Sequence, residues 1–283
     1  LRGANFRAVP ELPETETIAR DLDHEVAGRH IERTVVRRSD VLRESSPAQF
    51  VRRITGTTIE RCWRRAKLVV ISLSTGERIV VQPRFTGGLL IDDGTLAAAE
   101  RRYSTVELTL DDGRSLHYRD VRRLGTVTVM SPRRFDEYTA SLGVEPLDRA
   151  FTAKHLSALL EGRRQSIKKT LMDQRVVAGI GNIYANEALW RAGIDPSRAA
   201  GSIANGEADA LRKGIVGVLR ESIAARGTSF RDYRDARGER GGFVEHLAVY
   251  GRAGEPCARC GARLIETHAI DGRTTVLCAR CQK

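Results

Sequence analysis

At 283 residues, with 41% apolar and 29% charged side chains, the chain can bury a real core and is long enough for about two domains. A net charge of +11 and a pI near 9.9 point to a polyanionic partner, nucleic acid ahead of an anionic membrane surface. No stretch approaches the roughly 18 apolar residues of a membrane span, and the first nine residues lack the apolar centre of a secretory signal, so a soluble cytoplasmic protein is expected.

The segment AVPELPETET (8–17) precedes a helical pattern in which Ile18, Leu22 and Val26 recur at fourfold spacing. Pro13, Glu14 and Glu16 suit the first turn of that helix, where proline is tolerated and acidic groups favour the positive end of the dipole. Pro10 and Glu11 are left without a structural task. From 31 to 130 the pattern is mostly strand. TTIERCWRRAKLVVISL and ERIVVQPRF are rich in β-branched residues, and TVELTLDDGRSLHY alternates around Asp112-Gly113, a hairpin signal. Short strands with tight turns predict antiparallel sheets in a sandwich or barrel. Helical patterns occupy 152–226, broken by GIGN at 179–182, and the arginine- and glycine-rich RDYRDARGERGG predicts a mobile loop.

Four of the five cysteines fall in the last 27 residues; Cys62 reads as an ordinary buried thiol. Cys257 and Cys260, then Cys278 and Cys281, form two Cys-x-x-Cys pairs separated by 17 residues. Each pair can offer two thiolates from one turn, which predicts one structural Zn2+ in a closed site of four thiolates without an open position for water. Arg273 falls near the tip of the hairpin predicted between the pairs.

Taken together, PELPE (10–14), RRAK (64–67), RDVRRLG (119–125), LGVEPL (142–147), LMDQRVVAGIGNIYANEAL (171–189), VYGR (249–252) and the four-cysteine ribbon resemble the bacterial formamidopyrimidine-DNA glycosylases, the group that includes endonuclease VIII. The resemblance runs from Pro10 to the C-terminus. It implies an α+β multidomain fold: an N-terminal antiparallel β-sandwich with a leading helix (10–140), a helix-two-turn-helix domain with a lesion-capping loop (141–243), and a C-terminal zinc ribbon (244–283). It also implies a bacterial, nucleoid-associated enzyme that works as a monomer on damaged double-stranded DNA. Such an enzyme extrudes a damaged purine, cuts its glycosidic bond and nicks both sides of the sugar.

By the same resemblance, Pro10 supplies the amine that attacks C1′ and Glu11 the neighbouring acid/base. Lys67 contacts a phosphate and donates a proton, and Arg273 grips phosphates around the extruded nucleotide. Asn182 holds a phosphate at a helix start, while Arg164 and Lys168, read as one helical face, contact the DNA backbone. Arg122 enters the space left by the base, and Arg123 lies on the phosphate side. Phe85 stands where the family has a wedge methionine, Leu124 where it has a wedge phenylalanine, and Tyr103 where it has a phosphate-binding histidine. The long loop, with Arg231 among its arginines, favours oxidised purines; an endonuclease VIII-like preference for oxidised pyrimidines is the alternative. As written, Pro10 is internal, and an amide nitrogen has no free lone pair for attack. The expectation is that Val9 marks the initiation codon, read as methionine and then removed, so that residues 1–9 are an upstream extension; processing that exposes Pro10 is the alternative. With a blocked Pro10 the chain would be a catalytically silent DNA-binding protein.

Overall fold

In the computed structural model, which describes residues 9–283, the chain divides by contact into two units. One runs through Ser141 and takes in Ala225–Gly242; the other comprises Leu142–Ala224 and Phe243–Lys283. The first unit opens on helix α1 (Leu12–Val26), whose start is set by a capping box: Glu14 Oε2 accepts the Glu11 N–H at 2.9 Å. Ile18, Leu22 and Val26 are fully buried, as the fourfold spacing requires.

Nine strands follow among the described residues: β1 (Ile31–Val36), β2 (Leu42–Arg43), β3 (Ile59–Arg65), β4 (Leu68–Leu73), β5 (Arg78–Gln82), β6 (Gly87–Asp92), β7 (Ser104–Leu110), β8 (Ser115–Asp120) and β9 (Thr126–Met130). They make two sheets, ordered β1-β7-β8-β6 and β2-β9-β5-β4-β3. All pairings are antiparallel except the two-residue contact of β2 with β9. Ile71, Val81 and Val127 from one sheet and Leu89, Leu108 and Leu116 from the other share a single core with α1, which makes the unit a sandwich. Each such side chain contributes about 1.5–3 kcal/mol through burial. The β7–β8 hairpin turns at Asp112-Gly113, with Gly113 at φ 83°. Three short helices, α2 (Pro47–Ile54), α3 (Ala98–Arg101) and α4 (Pro132–Thr139), accompany the strands.

The second unit carries α5 (Ala153–Leu160), α6 (Ile167–Met172), α7 (Asn182–Ala192), α8 (Asn205–Ala224) and a two-stranded ribbon, β10 (Ile265–Thr267) with β11 (Thr275–Leu277). α8 packs on α5 and α7 through Leu211, Ile215 and Val218. Glu187, without exposed surface, accepts the N–H groups of Ala248 (2.9 Å), Val249 (2.9 Å) and Tyr250 (2.8 Å), and so fastens VYGR to α7. Burial pushes the Glu187 carboxyl up, against the pull of those three donors. Glu187→Ala strands all three, so unfolding in denaturant is expected to show a loss of about 3 kcal/mol or more. A loss under about 1 kcal/mol would contradict this account of the motif. No helix among the described residues is long and apolar enough to cross a membrane.

Candidate active site

Pro10 and Glu11 are both buried at the N-terminal end of α1, Glu11 to 3% exposure. The unpaired N–H groups of a first helical turn favour a carboxylate there. Glu14, 2% exposed, faces two ways. Its Oε2 accepts the Glu11 N–H, and its Oε1 accepts the Thr228 N–H at 2.8 Å, tying the start of α1 to segment 225–242.

Lys67 does not lie within a strand, as the sequence pattern suggested. It sits in the tight turn between β3 and β4, where Ala66 adopts φ 52°. The left-handed region costs an ordinary residue about 1–2 kcal/mol, and this tip is held in place from α1. Arg64 donates to Glu16 Oε2 at 2.7 Å and to the Ala66 carbonyl at 3.0 Å. Burial raises the Glu16 carboxyl, but Arg64 and Arg20 outweigh it and hold it below the usual carboxylate range. α1 thus carries Pro10 and Glu11 at its start and fixes the Lys67 turn one helical turn later.

Phe85 and Arg122 come together: the Arg122 guanidinium lies 4.9 Å over the Phe85 ring, a cation–π contact. Asp120, 1% exposed, organises their backbones. Its Oδ1 accepts from Thr86 Oγ1 (2.6 Å) and from the Arg122 N–H (3.2 Å), and its Oδ2 accepts the Gly125 N–H (2.8 Å). Gly125 cannot be replaced without movement, since a Cβ there would lie 1.9 Å from the Tyr118 hydroxyl. Leu124 stays 39% exposed at the same loop. Arg123 pairs with Asp40 at 2.9 Å, and Tyr103 is half-buried beneath the Arg102 guanidinium. Arg231 is exposed within 225–242. That segment contains no helix or strand, yet it is not a loose polar loop, because Tyr233, Asp235 and Ala236 are buried.

In the second unit, Arg164 and Lys168 do not share a helical face. Ser166 caps α6 by accepting the Lys169 N–H, so Arg164 precedes the helix. Lys168 has no exposed surface; its Nζ donates to the Thr274 carbonyl (3.1 Å) and Thr275 Oγ1 (2.7 Å) and lies 3.6 Å from Asp271. A buried ammonium is tolerated only with such partners. It therefore braces the ribbon hairpin instead of standing ready for a phosphate, a correction to the expectation from spacing. Asn182, the first residue of α7, donates from Nδ2 to the same Thr274 carbonyl at 3.0 Å. Together they support the turn that presents exposed Arg273.

The thiols of Cys257, Cys260, Cys278 and Cys281 all lie within 4.8 Å of one another, with Cys257–Cys281 at 4.0 Å and Cys260–Cys278 at 3.5 Å. Four sulfurs about 2.3 Å from a zinc ion stand about 3.8 Å apart, so this donor set fits a tetrahedral metal. Sequence reasoning missed Asp120, Glu14 as a hub, and Arg226, whose guanidinium donates to Asp21 of α1 and to Asp235. The signals were present as an acid inside RDVRRLG, a second glutamate in PELPE and an arginine before Gly227.

Comparison with known proteins gives three family matches in chain order: a formamidopyrimidine-DNA glycosylase N-terminal domain over residues 9–127, a formamidopyrimidine-DNA glycosylase H2TH domain over 142–234, and a zinc finger found in FPG and IleRS over 254–283. The formamidopyrimidine-DNA glycosylase of Desulfitobacterium hafniense is 41% identical over 276 residues, covering 97% of this chain and 100% of that protein. Lactococcus lactis Fpg, solved with DNA containing N7-benzyl-Fapy-dG, superposes with a TM-score of 0.89 at 29% identity, covering 97% of this chain and 100% of that one. MutM (FPG) from Thermus thermophilus gives 0.84 at 34% identity, with coverage of 96% and 98%.

Proposed function

The chain belongs to the formamidopyrimidine-DNA glycosylase family, and on that premise we propose that it is a bifunctional base-excision-repair enzyme, a DNA glycosylase and abasic-site lyase that removes oxidised purines from duplex DNA. The observation that carries this reading is the buried Pro10–Glu11 pair at the positive end of α1, with the Lys67 turn fixed to the same helix. The Pro10 lone pair becomes a bond to C1′ as the glycosidic bond breaks, and the base leaves with the electron pair of that broken bond and takes up a proton. The amine gives up its own proton, and Glu11 protonates O4′ as the sugar ring opens, leaving an iminium. Loss of a C2′ proton into that electron sink expels the 3′ phosphate, and loss of a C4′ proton then expels the 5′ phosphate. Lys67 and Arg273 serve these steps as proton donor and phosphate clamp.

The chemistry requires a free secondary amine, so the working form begins at Pro10. The N-terminal family match begins at residue 9, next to that point, and residues 1–8 lie outside the described residues. The basic surface residues Arg122, Arg123, Arg164 and Arg231, with Asn182, Tyr103, Phe85 and Leu124, bind and wedge the duplex, and segment 225–242 covers the extruded base. Cys257, Cys260, Cys278 and Cys281 hold one structural zinc, which shapes the ribbon and takes part in no chemical step.

Borohydride trapping on abasic DNA, with mass spectrometry of the N-terminus, tests the amine. A covalent adduct on Pro10 is expected, and a chain that retains Leu1 and forms none would rule the mechanism out. Duplexes carrying 8-oxoguanine or thymine glycol test the substrate. The purine lesion should be released faster by about tenfold or more, and release of the pyrimidine lesion alone would favour the endonuclease VIII-like reading.

A further inference from the structure

Segment 225–242 leaves the end of α8 and closes on itself, with the Gly242 N–H donating to the Ala225 carbonyl at 2.8 Å and a bridge between Thr228 and Gly242. At its neck Arg226 stands at φ 63°, a left-handed conformation that suits glycine. Two carboxylates meet its guanidinium. Nε donates to Asp235 Oδ2 at 2.7 Å, and Nη2 donates at 2.5 Å to Asp21 Oδ2 on α1. Asp235 has no exposed surface and Asp21 is 6% exposed. Further ties reach the same helix: the Thr228 N–H to Glu14, and the Tyr233 hydroxyl shared between the Glu14 carbonyl (3.4 Å) and the Arg226 carbonyl (3.2 Å).

Exposed ion pairs contribute little, but removing the cation from buried carboxylates is strongly unfavourable. A backbone that glycine would satisfy is occupied here by a side chain whose charge two buried acids require. We propose that Arg226 is a positioning residue for base excision: by joining Asp21 of α1 to Asp235, it fixes segment 225–242 on the helix that carries Pro10 and Glu11. The damaged base is then held between a fixed cover and its nucleophile. This inference rests on the reading of that segment as the cover over an extruded base. An abasic site has no base to cover, so the clamp should matter for excision and not for nicking of abasic DNA.

Arg226→Gly suits the left-handed backbone and removes the guanidinium with its side chain; Asp21→Asn takes the charge from the pair on the other side. Amide hydrogen exchange over 228–241 should accelerate by about tenfold or more in both variants. Single-turnover release of 8-oxoguanine should fall by about tenfold or more, while abasic-site nicking changes by less than about twofold. Unchanged exchange, unchanged excision, or an equal fall on both substrates would each overturn the proposal. A wild-type protein that releases no oxidised purine would instead defeat the functional reading, and the exchange measurement would then decide alone whether Arg226 clamps the segment.

Discussion

Glu11→Gln is expected to lower base release and strand scission by about 10²–10⁴-fold, the usual worth of a positioned acid/base. Glutamine keeps the length and acceptor oxygen of the side chain, so the helix start can survive, but it cannot exchange a proton with O4′. The backbone contact that fixes this residue, Glu11 N–H to Glu14 Oε2, is untouched by the change. DNA affinity should therefore hold within about threefold while the single-turnover rate collapses, a loss seen in kcat and not in binding. Glu14→Gln makes the informative control, because Glu14 accepts two backbone N–H groups and its loss disturbs position instead of proton transfer. A Glu11→Gln enzyme that cleaves abasic and 8-oxoguanine duplexes within about threefold of wild type would remove Glu11 from the mechanism.

What the sequence revealed follows from how local each signal is. The Asp112-Gly113 hairpin and the helix bearing Ile18, Leu22 and Val26 were legible because a turn dipeptide and a fourfold stripe encode them within a few residues. The paired cysteines were legible because spacing alone brings thiolates together. The β3–β4 turn was not, since Ala66 takes a left-handed conformation without glycine and depends on Arg64 and Glu16, which are 48 positions apart. Helix α2 lay hidden inside the mostly strand-like 31–130 region, although Ser46, Pro47 and Gln49 spell a capping box. Lys168 shows the limit of charge counting: a lysine in a basic run can be fully buried when distant backbone and hydroxyl oxygens supply its partners. The acids that meet Arg226 lie 205 and 9 positions from it, so only the folded chain shows that the arginine-rich loop is fastened.

Removing zinc is expected to have the second large effect, and to have it through structure. The ribbon's own apolar core is small: Val249, Leu264 and Val276 with Cys257 and Cys278, and Trp190 packs at its side. Zinc bound by cysteine sites in small domains contributes about 10–16 kcal/mol, comparable with the whole stability of a typical domain at about 5–15 kcal/mol. One zinc per chain should be found by elemental analysis, and a strong chelator or Cys278→Ser should abolish the ribbon's protection from amide exchange. Lys168 and Asn182 grip the tip of the hairpin at Asp271, Thr274 and Thr275, but its strands run back to the cysteine pairs, so release of the thiolates is expected to displace Arg273. Misplacing such a group by about 1 Å can cost about 10²-fold in rate, so strand nicking should fall by that order. The sandwich, whose core is built from its own two sheets and α1, should still unfold cooperatively. A Cys278→Ser protein that keeps both its ribbon protection and its nicking rate would show that the four thiols are not held by a metal.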